Sequence, residues 1–133
     1  MKASGMKEPR TLEQLLGSYS GEVRTLALGA RILLRNWLPG VGETVDSRAP
    51  VIGYGYGAGY RGTVCTPILS KSGVKLGLAL GAELEHPRGL LEGSGKLHRY
   101  VQLQTASDLR RAGVSQLVRA AYAAWRARNR ASP

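Results

Sequence analysis

Phenylalanine is absent from these 133 residues, and the chain holds one cysteine and two histidines. Each scarcity removes a class of chemistry. Cys65 alone can neither close an intramolecular disulfide nor supply a thiolate cluster for zinc, so the fold is expected to stand without an oxidising compartment. No apolar run approaches the roughly 20 residues that a helix needs to span a bilayer. The opening MKASGMKEPR has no apolar core of the kind a signal peptide carries, and the chain is read as cytoplasmic, with no membrane partner. Acidic side chains are also few, 9 against 19 lysines and arginines. None follows Asp108, whereas Arg110, Arg111, Arg119, Arg126, Arg128 and Arg130 all do. A net charge of +10 attracts phosphate-bearing partners or an acidic protein over long range and repels free cations.

Glycine, by contrast, is abundant at 18 residues, which signals tight loops and close backbone approach. The length suits one domain, expected over residues 11–129, with a leader at 1–10 and a tail at 130–133. Thr11 can cap a short helix over residues 11–16. From Ser20 to the stop at Pro39-Gly40, Val23, Leu26, Ala27, Ala30, Leu33, Leu34 and Trp37 recur at helical spacing, with Arg24, Arg31 and Arg35 off that stripe.

Residues 41–49 are polar and broken by Gly42, so they read as a loop. Strands are expected over 51–56, 60–69, 74–80 and 97–103. In the third of these, Val74, Leu76, Leu78 and Leu80 share the core face. A short helix from Ser107-Asp108 to Gly113 precedes a last one whose stripe is Val114, Leu117, Val118, Ala121, Tyr122 and Trp125, running to about Arg128. Together these predict an α+β fold, an antiparallel sheet of about four strands with N- and C-terminal helices on one face.

Gly93-Ser94-Gly95-Lys96 invites comparison with a phosphate loop, but the spacing from Gly89, Leu97 in place of Ser or Thr, and a following strand exclude a nucleoside-triphosphate site. A weaker reading keeps Arg88, Gly93, Gly95, Lys96 and Arg99 as an anion-binding loop; the alternative is that the glycines shape a sharp turn. Glu83, Glu85 and His86, with His98 opposite, form an acceptable but unspecific ligand set for iron or zinc, and solvated loop charges are the favoured reading of them. Tyr54 and Tyr56, on one strand face, resemble in composition a surface on which bases stack, with Arg119 and Arg126 on the last helix and Arg130 in the tail as the basic residues of the same nucleic-acid reading. Tyrosines covering a hairpin are the competing reading. No carboxylate pair and no nucleophile with its base is visible, and Cys65 reads as buried filler, so a binding protein is expected ahead of an enzyme.

Residues 77–101 read GLALGAELEHPRGLLEGSGKLHRYV, a strand ending in glycine, an H-P turn, L-x-G-x-G-K and an R-Y-V strand. In Gly81, Leu84, Pro87, Leu91, Gly93, Gly95, Lys96 and Arg99 this line resembles the bacterial YdhG-like family, largely described as a domain of unknown function. The resemblance implies a frataxin-like α/β sandwich and iron delivery to iron–sulfur or haem assembly. Frataxin-like iron binding is attributed to an acidic ridge on the first helix and adjoining strand, and in its first two helical segments this chain has only Glu13 and Glu22 among arginines.

Overall fold

A computed structural model of the chain describes residues 10–57, 62–81, 84, 91–93 and 99–131, without the side chains of 112, 130 and 131. The order is helix, helix, five strands, a 3-10 turn and a long helix. Helix α1, Leu12–Leu16, begins in a capping box. The Gln14 amide donates to Thr11 Oγ1 at 3.1 Å and the Thr11 amide to Gln14 Oε1 at 2.9 Å, which satisfies two amides that the first turn leaves without partners. Helix α2, Gly21–Trp37, is capped by Ser20, whose Oγ accepts from the Val23 amide at 3.2 Å, and it buries Val23, Leu26, Ala27, Ala30 and Leu34.

Strands β1 (Gly42–Val45), β2 (Ile52–Gly55), β3 (Thr63–Ser70), β4 (Gly73–Leu78) and β5 (Arg99–Leu103) pair in chain order as an antiparallel meander. Cross-strand register puts Ile52 and Tyr54, then Cys65 and Leu69, then Val74, Leu76 and Leu78, then Val101 and Leu103 on one buried face. Helix α2 packs on β3 and β4, and helix α3 (Ala112–Ala131) packs on β3 and on α2. Tyr54 opposes Cys65 while Gly55 opposes Thr63, so Val64 is an extra residue in the ladder. Such a bulge turns two successive side chains inward, and both Val64 and Cys65 are buried.

The α+β architecture agrees with expectation, and three details differ. The sheet has five strands, because residues 42–45 pair with β2 despite their polar sequence. Their inward positions are Glu43 and Val45, and Glu43 is made tolerable inside by two hydrogen bonds described below. Arg10, assigned to the leader, is fixed to the domain: its guanidinium donates to the carbonyls of Ser47 at 3.2 Å and Arg48 at 2.9 Å. Helix α3 starts at Ala112, ahead of the expected break at Gly113, and continues to Ala131, so positions 130 and 131 belong to the helix and not to a tail. No helix among the described residues is long and apolar enough to cross a membrane.

Candidate polyanion interface

Charge on α3 follows from its periodicity. Val114, Leu117, Val118 and Ala121 are buried against the core, with Tyr122 and Trp125 half-buried beside them. Arg119 and Arg126 are exposed seven residues apart, and position 130 falls in register four further on. That spacing gives rises of about 10 Å and about 6 Å along one flank. Asp108, in the 3-10 turn Ala106–Arg110, is the last acidic residue of the chain. Hydrogen bonds from the amides of Gln104 and Thr105 hold its carboxyl below the ordinary range, and it reaches Arg111 at only 3.8 Å. Nothing acidic on α3 therefore offsets its arginines.

The aromatic candidates separate. Tyr54 is fully buried on the core face, which corrects its assignment as a stacking platform: no base can reach a ring with 0% exposure. Its hydroxyl donates to Glu43 Oε2 at 2.5 Å, and burial and the Glu43 carboxylate push its pKa up. Arg31 Nε donates to the same oxygen at 2.7 Å. Burial alone would raise the Glu43 pKa, but the hydrogen bonds from Arg31 and Tyr54 and the charges of Arg31 and Arg35 outweigh it and hold the carboxyl below its ordinary value. This cluster ties β1 to α2 and β2.

Tyr56 is half-buried and belongs to α3's surroundings. Its ring lies 5.3 Å from that of Tyr122 and 5.1 Å from that of Trp125, and its hydroxyl donates to the Pro39 carbonyl at 2.8 Å. Burial and the neighbouring Tyr122 push its pKa up to about 12. The Arg126 guanidinium lies 5.6 Å from the centre of the Tyr122 ring, within cation–π reach, so the aromatic cluster holds the charged end of an α3 arginine. Trp37 and Trp125 both pack against the core, as their stripes predict.

Of the proposed anion loop, Gly93 and Arg99 are described, and both are occupied in packing. Gly93 has φ 108, and a Cβ there would press on the Tyr100 ring at 3.3 Å. Lys75 Nζ lies 4.8 Å from the centre of that ring. Arg99 lies so close to Gly81 that a Cβ on the glycine would meet it at 2.5 Å. Paired backbone hydrogen bonds join Glu92 and Tyr100 as an antiparallel bridge, at 2.8 and 3.1 Å. Arg88, Gly95, Lys96 and the metal candidates Glu83, Glu85 and His86 lie outside the described residues. Among the described residues no three His, Cys, Asp or Glu side chains come together as a metal site. Cys65 is buried, and burial pushes its thiol up to about 12, as suits filler and not a nucleophile.

Sequence reasoning missed the Arg31–Glu43–Tyr54 cluster, whose members lie 11 and 12 residues apart and carry no spacing signal. It also passed over Leu28 and Ile32, although both fall off the α2 stripe and that was readable. Comparison with family models, with curated proteins and with solved structures finds no match to this chain.

Proposed function

We propose that this chain is a non-enzymatic, cytoplasmic binding domain that holds a nucleic-acid backbone along α3. The observation that carries the reading is the row of Arg119, Arg126 and position 130 on one flank of a helix with no acidic residue. Charges so placed neutralise successive phosphates and release their counterions, which gives affinity with little sequence preference. The expected outcome is duplex DNA or RNA binding, read by fluorescence anisotropy, that weakens steeply with salt. The triple variant Arg119→Ala, Arg126→Ala, Arg130→Ala should lower the slope of log K against log salt by about 3, equally for unrelated sequences. Undiminished binding by that variant would remove α3 from the site.

Iron carriage, which the YdhG-like resemblance implies, draws on Glu83, Glu85 and His86 and works against a charge of +10. Anaerobic titration with ferrous iron decides between the readings. A stoichiometric complex that is lost on changing those three residues, without nucleic-acid binding, would establish the iron reading in place of this one.

A further inference from the structure

We infer that the outward row Arg24–Leu28–Ile32–Arg35 of α2 docks an acidic amphipathic helix of a partner protein. Leu28 and Ile32, 40% and 62% exposed, are the large hydrophobics left in solvent among the described residues. They stand four apart, hence one above the other on the helix surface. The same row continues four residues back to Arg24 and three forward to Arg35, both exposed. Glu22, in the first turn, falls off the row by helical register. The result is an apolar centre with a cation at each end, spanning roughly 16 Å of helix. Arg24 Nη1 is steadied by the Tyr19 carbonyl at 3.2 Å, and Arg35 lies near enough to Glu43 for its charge to lower that carboxyl's pKa.

Charge selects the occupant. If two copies packed α2 against α2 in antiparallel fashion about the Leu28–Ile32 centre, Arg24 of one would lie beside Arg35 of the other. Parallel packing would set each arginine against itself. Both arrangements bring like charges together, so the row is built against its own copy. A nucleic acid satisfies the two ends but leaves the apolar centre facing phosphates. A helix with leucines on one face and glutamates at the ends of that face satisfies all four positions. This surface lies on α2, and the inference stands or falls independently of the α3 reading.

The test is an NMR titration of the full chain with a synthetic helical peptide of about 18 residues, leucines at i, i+3, i+4 and i+7 and glutamates elsewhere. A second peptide carries lysines in place of the glutamates. The expected result is amide shifts concentrated on residues 24–35, with the lysine peptide weaker by at least about ten-fold. The double variant Leu28→Ser, Ile32→Ser should also weaken binding about ten-fold while far-ultraviolet circular dichroism stays unchanged and the thermal midpoint falls by only a few degrees, because both side chains are largely in solvent. The α3 triple variant should bind the glutamate peptide normally, which separates this surface from the nucleic-acid site. Equal binding of the two peptides, shifts elsewhere, or indifference to the double variant would overturn the inference. So would self-association in sedimentation that the double variant abolishes, which would give the row to a second copy.

Discussion

Glu43 shows how one residue can be both an error in a pattern and a fastener in the fold. By position it faces the core from β1; by chemistry it belongs in water. Arg31 from α2 and Tyr54 from β2 resolve the conflict by donating to a single carboxylate oxygen. The folded protein thus binds the Glu43 proton less readily than the unfolded chain, whose carboxyl titrates near 4.3. Its contribution is therefore full above that pH and is lost as pH falls through the lower folded value. The variant Glu43→Gln is expected to cost about 1–2 kcal/mol at pH 7, towards the low end because Arg31 is a third exposed. Urea unfolding of the two proteins at about pH 6 and about pH 3 should show the gap shrinking in acid. A gap that stays constant would mean that the carboxylate's charge is irrelevant and only its shape matters.

Elements with a full period were legible in the sequence, and elements whose logic lies in another segment were not. Helices α2 and α3 bury most residues of their stripes and half-bury Leu33, Trp37, Tyr122 and Trp125, and Thr11 and Ser20 cap where their hydroxyls predict. Strand β1 reads as loop because its segment is polar and broken by Gly42, and its inward Glu43 is the opposite of what alternation asks for. The basic face of α3 was readable from spacing, whereas the environment of Tyr54 and Tyr56 depends on Glu43, Tyr122 and Trp125 from other elements. Hairpin geometry gives a test at this scale. Gly73, which opens β4, has φ 144, and a Cβ there would strike the Leu103 carbonyl of β5. Gly40, after α2, has φ 69 with nothing within 4 Å of such a Cβ. Gly40→Ala should cost about 1 kcal/mol from backbone strain alone, and Gly73→Ala at least twice that because β5 must also move. Chemical denaturation ranks the two; equal losses would mean that the β4–β5 junction yields without cost.

At the scale of the whole molecule, the fold divides labour between faces. One face of the sheet is closed by α2 and α3, and each helix then exposes arginines, Arg24 and Arg35 on α2 and Arg119 and Arg126 on α3. A charge of +10 on a domain this small repels itself, and that repulsion is a standing destabilisation which counter-ions relieve. Raising sodium chloride from about 20 to about 300 mM shortens the reach of charge from roughly 20 Å to roughly 6 Å. Screening should therefore raise the thermal midpoint of the free protein by a few degrees, since 19 lysines and arginines stand against 9 acidic residues. The same salt should weaken a complex with duplex DNA, because counterions compete for its phosphates. Opposite signs from one titrant are the signature of a surface whose positive charge is costly alone and relieved by a polyanion. A midpoint that falls with salt would show instead that attraction within the fold exceeds repulsion, and the case for a polyanion from net charge would fail with it.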